Sequence, residues 1–311
     1  MIQRGLLGCL AGAVALAAGC STYNVNRSAL APHAAPQLHP IAPMDTVAQL
    51  GLGASSVAHV KNPEVGNPSA SVEIPGTQLH GDARLRVNDW LTVGLVYENG
   101  LDATAHKPKG NLQPDVDAGN VTGYGASFEI ALPTPNPQLT LGVSFNAMLW
   151  DVPWVEWRTC IDSCLSEDGF TYEASGVQGV MTLGAGFTPT YRTGSITWFG
   201  GISAREHPTI EQKGMEVGPN FDADVRSGPL AWTASAGAQV DLGGVKGSVV
   251  LYQTLTNDPV QYGPSVAALL VVPLGKRRPQ TLRVMAPPAA PALPPPTVPA
   301  PGTSPTGGHA L

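Results

Sequence analysis

Several short stretches of this sequence hold side chains of the kinds that do chemistry. Asp115-Val-Asp117-Ala-Gly119-Asn120 places oxygen donors at alternate positions before a glycine turn, as the opening of a calcium loop does. The acidic residue needed at the far end is missing, because Ala126 stands there. Asn220-Phe-Asp222-Ala-Asp224 is a similar fragment. Both read as polar turns, so no metal and no other cofactor is expected. Cys160 and Cys164 follow closely on Trp154 and Trp157. The nearby nitrogen and sulfur ligands of a zinc site are lacking, so the pair reads as a local disulfide stiffening a loop tip. A stiffened loop bearing tryptophans would suit a recognition surface. No Ser-His-Asp pattern stands in a convincing context, and no glycine loop is built for phosphate.

These stretches are carried by a chain of 311 residues with only 13% charged side chains, against about 25% in ordinary soluble domains. Its 36 glycines and 30 prolines, with no long helical runs, imply many strands joined by turns. After the N-terminus there is no apolar run of the ~18 residues a spanning helix needs. A formal net charge of −6 leaves no basic footprint for nucleic acid, which is discounted as a partner.

The N-terminus reads as a targeting segment: Arg4, then a short apolar core from Gly5 to Gly19. It ends in Leu16-Ala17-Ala18-Gly19-Cys20, which resembles the lipobox of bacterial lipoproteins. Ala17 departs from the leucine commonest at that position. The resemblance implies a signal peptide over 1–19 and a lipid on Cys20. Ordinary cleavage would leave Cys20 a free thiol. If Cys9 leaves with the signal and Cys160 pairs with Cys164, lipidation of Cys20 leaves no odd thiol. Residues 20–45 lack periodicity and read as a flexible lipid-anchored tether, and 275–311 as a disordered Pro/Ala-rich tail.

Between them the apolar pattern has period two. Leu79, Gly81, Ala83, Leu85 and Val87 share one face of a strand; Gln78, His80, Asp82, Arg84 and Arg86 share the other. The pattern recurs in about ten segments: 46–58, 77–88, 90–98, 122–132, 138–149, 174–188, 194–206, 229–242, 245–256 and 262–274. Alternation alone suits either a soluble sandwich or a membrane barrel. Connection length favours the barrel. Long connections at 59–76, 99–121, 151–173 and 207–228 alternate with short ones at 88–89, 133–137, 189–193 and 243–244. Tyr97, Tyr124, Trp150 and Trp232 near the long-loop ends, with Trp90, Phe187 and Trp198 near the short turns, form two aromatic bands.

On these residues the region 46–274 resembles small bacterial outer-membrane β-barrels. The expected fold is therefore all-β: an antiparallel up-and-down transmembrane barrel, with both termini periplasmic and outer-membrane lipid as its surroundings. Asp82, Arg84, Arg86, Glu98, Glu129, Arg205, Asp241 and Lys246 would face the interior as an ion-pair network or a narrow polar pathway. Omptin-like proteases use ten-stranded barrels with rim acids and an Asp-His pair. Asp102, His106, Asp115, Asp117, His207, Asp222 and Asp224 do not match that spacing, so no enzyme is expected. The expected function is a non-enzymatic surface or envelope protein binding a protein or glycan through its long loops. A narrow solute channel and a lipid-anchored sandwich module are the alternatives.

Overall fold

The computed structural model describes residues 22–57, 60–61, 70–105, 116–162, 171–210, 215–217, 225–255 and 261–276, and their regular structure is all strand. In chain order these are β1 (Thr22–Leu30), β2 (Thr46–Val57), β3 (Val60–Lys61), β4 (Ala70–Glu73), β5 (Thr77–Arg86), β6 (Leu91–Ala105), β7 (Val116–Pro133) and β8 (Leu139–Asp162). There follow β9 (Thr171–Thr193), β10 (Ile196–Ile210), β11 (Met215–Val217), β12 (Val225–Asp241), β13 (Lys246–Thr254), β14 (Gln261–Tyr262) and β15 (Ser265–Lys276). Ten of them, β2, β5 to β10, β12, β13 and β15, pair antiparallel in sequence order. The last, β15, returns to β2 from Ser265↔Val57 to Lys276↔Thr46. The ten expected strands thus close into one barrel, and the sandwich is excluded.

The period-two pattern decides which side chain meets which environment. Leu52, Leu95 and Leu251 stand outward, 71%, 68% and 64% exposed, while Gln78, His80, Arg84 and Ser248 on the alternate parity are buried. Tyr97, Tyr124 and Trp232 are exposed toward the long-loop end, and Trp90, Phe187 and Trp198 toward the short turns. Trp150 is a correction. It lies one residue beyond the outward Leu149, so it points into the barrel and is buried. The short turns follow from local chemistry. Asn88 Oδ1 accepts the Trp90 and Leu91 amides at 2.9 and 2.8 Å. Gly243 and Gly244 take φ of 81° and 126°, the positive values a tight hairpin needs.

At the other end the strands outrun the membrane. A spanning strand needs about 9–11 residues, and β8 and β9 have 24 and 23. Much of what reads as long loop at 99–121, 151–173 and 207–228 is strand. The outward apolar row of β8 stops at exposed Asp151. There β7 also leaves β8, at Thr122↔Asp151. The vacated edge is taken by β1, paired from Ala29↔Trp154 to Thr22↔Asp162. β4 and β11 add to β1, so the long-loop mouth carries a cap. Beneath it Leu30, Val121, Trp150, Val152, Ile210 and Val225 form an apolar cluster.

The segment expected to be a tether begins, from Thr22, as β1 of the cap, and beyond Leu30 it runs inside the barrel. From Val25 to Pro36 every residue but Ala35 is buried, and Leu38, His39, Ile41 and Met44 are buried too. Pro32, Pro36, Pro40 and Pro43 deny residues 31–44 a row of amide donors, so beyond β1 the chain cannot join the ladder as a strand and threads the lumen as irregular chain. The two ends of the described chain therefore lie at opposite mouths. β1 sits at the long-loop end and Lys276 at the short-turn end; the termini expected to share the periplasmic side lie outside the described residues.

The outward parity makes a specific demand. Leu52→Arg places a charge in the middle of the apolar belt and should cost about 2–4 kcal/mol if it lies at the bilayer midplane. Leu242→Arg, at a short-turn tip, should cost no more than ~1 kcal/mol. Urea unfolding in lipid vesicles measures both, and equal costs would contradict the assigned belt.

Candidate functional site in the barrel lumen

Inward-facing residues of the strands and the threading segment meet level by level. Under the cap, Arg27 Nε donates to Glu156 Oε2 at 2.7 Å, and Arg158 pairs with the other oxygen of the same carboxylate. The next contacts answer the carbonyls that proline-rich chain leaves exposed. His207 Nε2 lies 3.1 Å from Pro32 O, and Thr233 Oγ1 donates to Ala34 O at 2.9 Å. The His33 amide donates to Gln78 Oε1 at 2.7 Å, while its ring meets Ser55 Oγ at 3.1 Å and the Pro75 carbonyl.

The centre holds two carboxylates. Glu98 receives Arg205 through two parallel bonds of 3.0 Å and the Gln78 amide at 2.6 Å. Such a two-point pairing fixes geometry as well as charge. Arg205 also lies 5.7 Å from the centroid of the Trp150 ring, whose Nε1 donates to Thr182 at 2.9 Å. His80 joins this group through Ser55 Oγ at 2.7 Å. Lower down, Glu129 Oε1 takes His39 Nε2 at 2.7 Å and Gln37 Nε2 at 2.8 Å, both from the threading segment. Arg84 Nε donates to Asp82 Oδ2 at 2.9 Å, with Nη1 3.9 Å from Glu129. Below that Ile41 is buried where β8 has Gly142, at which a Cβ would come within 2.5 Å of Ile41. Arg86 then donates to Met44 O at 2.8 Å as the chain leaves.

Of the eight expected interior residues, Asp82, Arg84, Glu98, Glu129 and Arg205 come together in this network. Arg86 instead holds the exit of the threading segment and pairs with Asp89. Asp241 and Lys246 are cross-strand partners at the short-turn mouth, where Asp241 is exposed and accepts the Gly243 amide at 2.9 Å. They are corrected to mouth positions, because the lumen ends before their level. His33, Gln37 and His39 were not anticipated. Their signal lay in apolar Leu30, Leu38, Ile41 and Met44 nearby, which a solvated tether does not require. His207 faces Pro32 inside the barrel and is no rim residue. Trp157 is buried and Trp154 packs on the cap cluster, so neither tryptophan presents an open recognition surface.

Cys20, Cys164, His106, Asp115, Asp222 and Asp224 lie outside the described residues, as do the side chains of Asp102, Asp117 and Cys160. The lipid, the disulfide, both calcium-like fragments and most of the rim acids therefore fall there. Among the described residues no group of three His, Cys, Asp or Glu is arranged to hold a metal. Beside the threading segment lies a cavity of about 90 Å³, bounded by Gln37 and His39 on one side and by Arg84, Glu129, Ser144 and Asn146 on the other.

A sheet of ten strands closed on itself, apolar outside and polar within, defines a transmembrane β-barrel of the outer-membrane type. No family model and no curated protein matches the chain. Among solved structures it is similar to an outer membrane channel from Pseudomonas putida F1, at 11% identity over 76% of this chain and 99% of that one, TM-score 0.39. It is also similar to the N-terminal β-barrel domain of OprF from Pseudomonas aeruginosa, at 8% identity over 74% and 98%, TM-score 0.29. A third is LpxR from Salmonella typhimurium, at 8% identity over 72% and 99%, TM-score 0.34.

The Glu98–Arg205 pair ties β6 to β10 across the lumen. Glu98→Gln leaves a buried guanidinium without its counter-charge and should destabilise the barrel by about 3–5 kcal/mol. Glu98→Gln with Arg205→Met should recover most of that loss. A double-mutant cycle on urea midpoints reads the coupling, and additive losses would show that the two act separately.

Proposed function

We propose that this chain is a non-enzymatic surface protein of the bacterial outer membrane, closed by its own N-terminal segment and meeting its partner at the long-loop end. The observation that carries this reading is the run of chain from Ala31 to Met44 through the lumen, most of it buried. A barrel filled in this way offers no through-path. Its exposed strand extensions and cap are then the parts available to an envelope protein or a surface glycan.

With the long loops outside, as in outer-membrane barrels generally, β1 lies on the cell-surface side and Lys276 on the periplasmic side. Cys20 stands two residues before Thr22, a reach of at most about 7 Å at ~3.6 Å per residue. A lipid on Cys20 would accordingly be on the surface side, not in the periplasmic leaflet. Palmitate labelling of wild type and Cys20→Ala should give a band, shifting on boiling, in the wild type alone. No label would remove the lipid from this proposal and leave the plugged barrel standing.

A narrow channel is the second reading. It is favoured by the central cavity and by charge pairs within the wall, Glu98–Arg205 and Asp82–Arg84, that do not involve the threading segment. Planar bilayers separate the two. The full chain should hold no steady conductance. Gly142→Leu, which drives into Ile41, and deletion of 31–43 should each open a pore. Steady conductance by the wild type would overturn the closed-barrel reading in favour of the channel.

A further inference from the structure

We infer that the central cavity is a binding site for one small, neutral, hydroxyl-bearing solute of about the size of a three-carbon polyol. Size comes first. The cavity measures about 90 Å³, and a water-sized occupant needs roughly 15 Å³ of such space, so there is room for about six non-hydrogen atoms.

Charge comes next. The acids facing the cavity are each engaged: Glu98 by Arg205, Asp82 by Arg84, and Glu129 by hydrogen bonds with His39 and Gln37. An entering ion would find these charged groups already engaged with one another, and desolvating it would be costly. What remains unanswered is hydrogen-bonding capacity of both kinds. Arg84, only 4% exposed, keeps Nη2 without an acceptor, and Asn146 keeps Oδ1 without a donor. Ser127, Ser144 and Ser203 add hydroxyls to the same walls. A group that donates and accepts at once is what such a lining matches, and the hydroxyl does both through a single oxygen, the most compact way to do so in a cavity of this size. The walls on this side are kept low by small residues, since a Cβ on Gly184 would fall 2.5 Å from Asn146 Oδ1 and one on Gly186 2.8 Å from Ser144 Oγ.

Radiolabelled glycerol is the probe. The full chain is refolded into detergent in its presence, so that access through the closed mouths is not limiting, and bound label is measured by equilibrium dialysis. Wild type should take up one glycerol per chain saturably. Arg84→Gln should weaken uptake about tenfold, and Ser144→Phe, which fills the cavity, should abolish it. Labelled acetate and rubidium should show no saturable uptake. Heat-modifiable gel mobility reports whether each variant has closed its barrel, and Ser127→Leu serves if Ser144→Phe has not. Water as the only occupant, seen as non-saturable glycerol uptake by wild type, would overturn the inference. So would uptake unchanged in the filled variants, or uptake of either ion equal to that of glycerol. None of these results bears on conductance, so the closed-barrel reading stands or falls separately.

Discussion

A sheet facing hydrocarbon has no water to satisfy a free edge, and this chain depends on meeting that constraint by joining β15 to β2. Closure sets a second requirement. Eight strands give an interior that side chains of the wall just fill, and ten give a wider one. The extra volume has to hold water or chain. Here it holds the chain's own residues 31–44, and inward side chains of most strands meet that segment. Gly142 is small where Ile41 is large. Thr233, His207 and Arg86 supply donors where proline-rich backbone has carbonyls and few amides.

The electrostatics follow from the same filling. Charges inside a barrel without open water need partners, and the pairs are layered. Arg27, Glu156 and Arg158 lie beneath the cap, Glu98 with Arg205 at the centre, and Glu129 with Asp82 and Arg84 below. Glu98 and Arg205 belong to the wall, whereas Glu129 reaches the threading segment through His39 and Gln37. One level therefore braces the barrel and the next recognises the chain within it. The polar cavity lies between these two kinds of contact, and Arg84 and Asn146 in its lining each keep a buried polar atom without a partner.

The barrel also changes character along its axis. Within the membrane its exterior is an apolar belt bounded by aromatics. Beyond Asp151 the outer ends of β8 and β9 become a sheet with a partner, β1, drawn from the far end of the sequence. Between β9 and β10 the ladder ends at Gly184↔Arg205, and the Glu206 carboxylate accepts the Leu183 amide at 2.9 Å in its place. The register shift between Glu206 and Pro208 accompanies the turn of His207 toward Pro32. Local departures from the ladder thus serve the contacts of the lumen.

By itself the sequence determined the strands, their faces and their order, because side-chain alternation is a property of each strand alone. Leu79 and Leu85 outward, Gln78 and Arg84 inward, and the turns at Asn88 and Gly243-Gly244 could all be read from neighbours in the chain. Five of the eight expected interior residues followed from the same parity. Only the tertiary structure decided what those residues meet. Residues 31–44 have no periodicity because their contacts go to several different strands, and a segment without a repeat reads as tether whether it is solvated or enclosed. Glu98 finds Arg205 107 positions away, and Arg27 finds Glu156 129 positions away. The first pairing depends on the circumference of the closed sheet, a property of all ten strands together, and the second on the docking of β1 against the extension of β8, and no stretch of sequence alone decides either.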